Sequence, residues 1–216
     1  MKLASPSLPS AFRTLSAEDV CAAAAEGERI EGALLRADLS GLVLDGAEFA
    51  GVRFERCRFA GTDLRRADLC DTVLENCDLS GAVFRSASLR RVRLEGCKGV
   101  GADFSESGLR DAAFAGCNFS YANFNAAKLR AFSLQNCDFS NADIAGCALK
   151  DAAFSKTRFR RANFYGTLLR GVDLSDCDIA GIVLSQSLAE IRGATIHPLQ
   201  CADFLRALGV HVKDGF

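Results

Sequence analysis

An apolar side chain recurs at every fifth position through most of this sequence. From Leu34 to Leu184 that position is held by Leu, Phe or Ile, with Gly99 as the single exception. Two residues before each of these stands a second series of mostly smaller side chains, mainly Ala, Cys, Thr or Val. A period of five fits neither a helix nor a strand, so the sequence predicts a solenoid.

The two series predict how the inside of the solenoid is filled. We expect one large and one small side chain to point inward in every five residues, while the other three face solvent. Gly99, which Gly101 follows closely, is the one missing large residue, and it is expected to mark a bulge, a bend or a small cavity. An array of amphipathic helices would need apolar residues at helical spacing, which the sequence lacks.

The repeat resembles the motif of the pentapeptide-repeat family, roughly Ala-(Asp/Asn)-Leu-x-x, as at residues 37–39 and 122–124. The resemblance implies an all-β solenoid, a right-handed quadrilateral parallel β-helix with one pentapeptide on each side of a coil. Six cysteines lie at multiples of 20 residues from one another, which on a four-sided coil stacks them in one inward ladder. They are Cys57, Cys77, Cys97, Cys117, Cys137 and Cys177.

The cysteines are expected to be packing residues with reduced thiols, because nothing in the sequence marks export. Cys70 falls on an outward position and is expected to be the most reactive thiol. There is no Cys-x-x-Cys pair, and the two histidines, His197 and His211, both lie near the C-terminus. We therefore predict no metal site and no cofactor. No apolar run is long enough to span a membrane, so we expect a cytoplasmic protein.

The sequence divides into an N-terminal extension with a capping helix (1–31), the β-helix (32–187) and a C-terminal capping and dimerisation helix with a tail (188–216). Ser16 is predicted to cap the first helix, and Pro198 to stand in the first turn of the second. The apolar face of the second helix, a candidate dimer contact, consists of Leu199, Ala202, Leu205 and Leu208.

Charged residues form columns, because residues one coil apart share a face. The net charge of −1 supplies neither a basic surface for nucleic acid nor a strongly acidic one, so any charge effect must be local. The candidate basic column is Arg90, Arg110, Arg130, Lys150 and Arg170, and the candidate acidic column is Glu55, Glu75 and Glu95. The basic column is either a solvated face or a stripe that binds phosphate groups or an acidic partner.

The C-terminal segment, residues 193–210, resembles the ending of the quinolone-resistance type of pentapeptide-repeat protein and its chromosomal relatives. That resemblance implies binding to DNA gyrase or topoisomerase IV, protection from quinolones as a DNA mimic, and a homodimer formed through the C-terminal helix. No direct nucleic-acid binding and no membrane contact are expected.

Two hypotheses for the function remain open at this point. One is a binding protein for a type II topoisomerase, and the other is a generic interaction scaffold with an unknown partner. An enzyme is not predicted, because the sequence lacks a Ser/His/Asp arrangement and a phosphate-binding glycine loop, and a filled rod has flat faces.

Overall fold

The computed structural model describes residues 3–207 and 210–212, in which the chain winds into a parallel β-solenoid of about 7 turns. Residues 20 positions apart lie side by side, as Leu69 does with Leu89 and Leu89 with Leu109. The predicted all-β solenoid of stacked pentapeptides is confirmed. Its large core positions are buried from Leu39 to Ile179, except that Gly99 has no side chain and Leu149 is half-buried.

Ten strands form one parallel sheet within the described residues. From β6 to β10, each strand covers two neighbouring sides of one coil. On the other two sides, single β-bridges pair each coil with the next one. The strands are β1 (Arg13–Leu15), β2 (Ile30–Glu31), β3 (Ala33–Leu35), β4 (Glu48–Ala50), β5 (Arg53–Glu55), β6 (Asp68–Glu75), β7 (Ser88–Glu95), β8 (Gly108–Ala115), β9 (Lys128–Gln135) and β10 (Ala148–Ser155).

The chain turns nearly all of its corners with a residue in the left-handed region. At successive coils of one corner, φ is +60° at Gly51, +53° at Asp71 and +53° at Arg91. Glycine, Asn and Asp adopt this conformation most readily, which accounts for their frequency two residues after the large core position. The corners therefore point three residues of each pentapeptide outward, as the sequence predicts.

The cysteine ladder is inside the rod. All six of its members are buried, and the Sγ atoms of Cys77, Cys97 and Cys117 donate to backbone carbonyls of the preceding coil at 3.3–3.4 Å. Burial raises the pKa of Cys177 to about 12 and that of Cys147, on another side, to about 11. Packing is thus the role that the geometry supports for these thiols.

Gly99 marks neither a bulge nor a cavity. Its N–H donates to the carbonyl of Asn118 at 2.7 Å, so the backbone keeps the regular pairing. The ring of Phe119, one coil further on, fills the place of the missing side chain. A Cβ atom at residue 99 would lie 2.1 Å from Cε1 of that ring.

The repeat does not start at Leu34, which is half-buried. Instead Leu35 is fully buried and pairs with Phe54, 19 residues later. The first coil is one residue short because it lacks an equivalent of Arg56, the left-handed corner residue of the next coil. The series that begins at Leu39 then keeps its phase.

Short helices lie at both ends of the rod. Helix α1 (Ala17–Glu26) begins at the predicted N-cap, where Ser16 and Asp19 form a capping box, and it buries Val20 against the first coil. At the other end, 3-10 turns at Ala189–Ile191 and Pro198–Gln200 lead into α2 (Cys201–Ala207). None of the described helices is long and apolar enough to cross a membrane.

The last coil is closed by polar contacts. The side chain of Gln200 donates to the carbonyls of Leu174 at 3.0 Å and Cys177 at 2.7 Å. The buried carboxylate of Glu190 accepts from the N–H of Gly166 at 2.9 Å and the hydroxyl of Ser185 at 2.8 Å. Burial opposes ionisation of Glu190, but these donors outweigh it, so its pKa lies below the usual value.

Candidate functional site

The basic column is a straight, exposed row. Strand pairing places Arg90 beside Arg110, Arg110 beside Arg130 and Arg130 beside Lys150, and each of these side chains is exposed. Arg170 continues the row at the next coil and is also exposed. Adjacent members of the row lie about 4.8 Å apart, the spacing of paired strands.

The two halves of the basic column differ in how their charges are balanced. Arg90 pairs with Asp68 at 2.9 Å, and Arg110 contacts Asp111 at 3.6 Å. Arg130, Lys150 and Arg170 make no ion pair with any described residue. The unbalanced positive charge therefore lies in the C-terminal half, which we call the cationic row.

The acidic column is largely neutralised. Glu55 pairs with Arg36 at 2.5 Å and with Arg53 at 3.4 Å, and Arg53 also reaches Glu75 at 3.5 Å. The bond from Arg36 and the charges of both arginines outweigh partial burial and lower the pKa of Glu55. Of the three candidates, Glu95 alone makes no ion pair with the described residues. Arginines therefore balance the N-terminal part of the acidic column, and Glu95 is its exposed, unpaired member among the described residues.

The N-terminal segment, residues 3–11, lies along one corner of the rod. Its N–H groups at Ser7 and Ala4 donate to the carboxylates of Asp71 at 2.8 Å and Asp111 at 3.2 Å. Arg93 donates to the hydroxyl of Ser5 at 2.7 Å. The segment was not expected from the sequence, because its partners are 64 to 107 residues away and no periodic pattern marks them.

Cys70 differs from the prediction that it is the most reactive thiol. It points outward but is buried at 7% exposure, beside Asp71 and with a nitrogen of Arg91 3.1 Å from its sulfur. Burial and the neighbouring carboxylate of Asp71 raise its pKa. Among the described cysteines, Cys201 is the exposed one.

The predicted dimer contact lies on the short α2 helix and the turn before it. Leu199 is 84% exposed and Leu205 is 42% exposed, whereas Ala202 is half-buried. Leu208 lies outside the described residues. The side chain that anchors α2 to the rod is Phe204, which is 7% exposed.

Comparison with known families identifies the repeat. The model of the pentapeptide repeat region matches residues 47–118 and 107–184, which together make up more than half of the chain. The chain belongs to the pentapeptide-repeat family. No curated protein matches it in sequence.

Solved pentapeptide-repeat proteins are similar to this chain. A trypsin-treated form of QnrB1, a plasmid-mediated fluoroquinolone resistance protein, is 27% identical, with 87% of this chain and 92% of that chain covered and a TM-score of 0.45. Full-length QnrB1 is 25% identical, with coverages of 85% and 91% and a TM-score of 0.45. HetL, involved in heterocyst differentiation regulation in the cyanobacterium Nostoc sp. strain PCC 7120, is 21% identical, with coverages of 85% and 98% and a TM-score of 0.41.

Shallow depressions lie between neighbouring coils of the pentapeptide-repeat rod. One of them is open to solvent and is lined by Asn141, Arg160 and Arg161. Within the described residues, His, Cys, Asp and Glu side chains form no group of three that could hold a metal ion. The geometry is suited to contact with a large partner over a flat face.

Proposed function

We propose that this pentapeptide-repeat protein is not an enzyme but a cytoplasmic binding protein that engages a type II topoisomerase, DNA gyrase or topoisomerase IV. The observation that supports binding is the cationic row of Arg130, Lys150 and Arg170, three exposed cations without ion pairs among the described residues. A flat charged face recognises a large partner through complementary charge and area.

The choice of partner rests on the C-terminal segment, residues 193–210, whose sequence resembles the ending of gyrase-binding members of the family. A DNA mimic that protects the enzyme from quinolones would use the acidic column, but Glu55 and Glu75 are already paired with arginines. We therefore assign the contact to the cationic row and to an acidic surface of the topoisomerase. A generic scaffold is the second candidate, which the same neutralised column favours.

Purified protein at micromolar concentration is expected to change supercoiling by gyrase or cleavage trapped by a quinolone. The effect should weaken as salt is raised, because the contact is electrostatic. Reversing two charges with Arg130→Glu and Lys150→Glu should raise the concentration needed for half the effect about tenfold or more, since like charges then face each other.

The matched control reverses two charges outside the row. Lys156 and Arg161 are exposed, lie on other corners and make no ion pair with described residues, so Lys156→Glu with Arg161→Glu gives the same change in net charge. This control should behave like the native protein. No effect on either topoisomerase in low salt would contradict the proposed partner and leave the generic scaffold.

We also propose that the protein forms a homodimer through the C-terminal segment, because Leu199 and Leu205 expose apolar surface there. Light scattering should give twice the chain mass at micromolar concentration. Leu205→Asp should give a monomer, since it brings an unpaired charge into the contact. Val43→Asp, at an apolar residue 73% exposed on an early coil of the rod, should leave the dimer intact. A native monomer would contradict the proposal.

A further inference from the structure

The corner beneath the N-terminal segment has the features of a peptide-binding groove. Its walls are formed by Arg53, Val73 and Arg93 of three successive coils, together with Pro6 and Leu8 of the segment. Val73 occupies an outward position of its pentapeptide, yet it is only 5% exposed. An apolar outward residue with so little exposure indicates that the segment shields this part of the rod from water.

The polar contacts of the groove match the repeat of an extended peptide. Asp71 and Asp111 stand on the same corner two coils apart, about 9.6 Å along the axis, and three residues of extended chain span about 10 Å. These carboxylates accept hydrogen bonds from the N–H groups of Ser7 and Ala4, which are three residues apart in the segment. The bond from Arg93 to Ser5 falls between them. The segment therefore follows the axis of the rod in register with its coils.

The groove extends to Pro9 of the segment, and its acceptor is held by charge. Gly51 adopts φ +60°, and a Cβ atom there would be in ordinary van der Waals contact with the ring of Pro9, at 3.4 Å. Arg91 donates two hydrogen bonds of 2.6 Å to Asp71 and lowers the pKa of that carboxyl to about 2. The hydrogen bond from the N–H of Ser7 contributes to the same lowering. The acceptor is thus fixed in place and ionised over the whole physiological range.

We propose that this corner is a binding site for an extended peptide with N–H donors three residues apart, and that residues 3–11 are its built-in ligand. The apolar residues Leu3, Pro6 and Leu8 are half-buried, and the residues between them are exposed. The contact is held by a few hydrogen bonds and by the covalent link, which supplies a high effective concentration. The segment can consequently leave the groove and be replaced by a peptide of the same kind.

The experiment measures how fast a thiol under the segment is labelled. Val73→Cys places that thiol in the groove, with Cys21→Ser and Cys201→Ser removing two accessible thiols and Cys70→Ser removing the thiol beside Asp71. Ala4→Pro with Ser7→Pro removes both N–H donors, whereas Ala4→Ser with Ser7→Ala keeps them. We expect the proline pair to raise the rate of maleimide labelling about tenfold or more, as local opening does, and the matched pair to leave it unchanged.

A separate peptide then tests whether the groove binds a peptide ligand, rather than being only covered by the attached segment. A synthetic peptide with the sequence of residues 1–12, at millimolar concentration, should slow labelling of the proline-pair protein again. The same peptide with proline at positions 4 and 7 should not. Ser133→Cys is the control, because residue 133 lies on the same column as Val73 but beyond the segment. Its labelling rate should be the same with the native segment and the proline pair, and with or without added peptide. Equal labelling of the native segment and the proline pair, or no protection by the native peptide, would overturn the proposal.

Discussion

Replacing Phe124 by alanine is expected to lower the free energy of unfolding by about 3–5 kcal/mol, the range for a large aromatic side chain removed from a packed core. Phe124 is 1% exposed, and its ring stacks on Phe104 with centroids 4.9 Å apart and an angle of 3° between the planes. Phe104 stacks in turn on Phe84 at 4.5 Å. The cavity would open at one end of this row, between Phe104 and the tilted ring of Phe139, which lies 5.5 Å from Phe124.

Denaturant titration followed by circular dichroism measures this loss. Tyr165→Ala is the control, because Tyr165 is an aromatic residue 60% exposed on the outside of a later coil. Its free energy of unfolding should stay within about 0.5 kcal/mol of the native value. If Phe124→Ala unfolds at the native denaturant concentration, Phe124 is not inside the rod.

Restoring the repeat at residue 99 is expected to harm the protein. Gly99→Leu introduces the large apolar residue found at the other positions of this series. Its Cβ would lie between 2.1 and 2.8 Å from three atoms of the Phe119 ring. The ring is fully buried and contacts Phe104, Phe114, Phe124 and Phe139, so it has no free space to move into. Overpacking of this kind costs about 1–3 kcal/mol or more.

A compensating change tests the cause of that loss. Phe119→Leu shortens the side chain that fills the space above Gly99, so the double variant with Gly99→Leu should be more stable than the sum of the two single effects predicts. Denaturant titration of the two single variants and the double variant gives the coupling. Additive effects, or a Gly99→Leu variant as stable as the native protein, would mean that the ring does not occupy this space.

The interior of the rod was predictable from the sequence because one rule governs it. Each inward position repeats every five residues, so the core and the cysteine ladder could be assigned from the period. The cap at Ser16 was predictable for a separate reason, because Ser followed by carboxylates favours the start of a helix. The phase error at Leu34 arose where two leucines are adjacent, since the pattern alone fits either of them. The content of the gap at Gly99 was not predictable, because it depends on the ring of Phe119 from the next coil.

The outer surface was much less predictable, because the repeat leaves outward positions free. The strand pairing aligns the residues of each column as predicted. The ion pair between Glu55 and Arg36 was not predictable, because Arg36 belongs to neither of the two columns. The shielding of Val73 and the low exposure of Cys70 depend on tertiary contacts at one corner, including those of a distant N-terminal segment. Charge balance and accessibility are tertiary properties, and a five-residue period carries no information about them.

The uneven balance of charge along the basic column gives the rod a direction. Near the N-terminal end its arginines are matched by Asp68 and Asp111, whereas Arg130, Lys150 and Arg170 stand without ion pairs among the described residues. An approaching anionic surface would therefore attract one end of this face more strongly than the other and rotate the molecule before contact. The long axis would therefore arrive at such a surface in a preferred orientation.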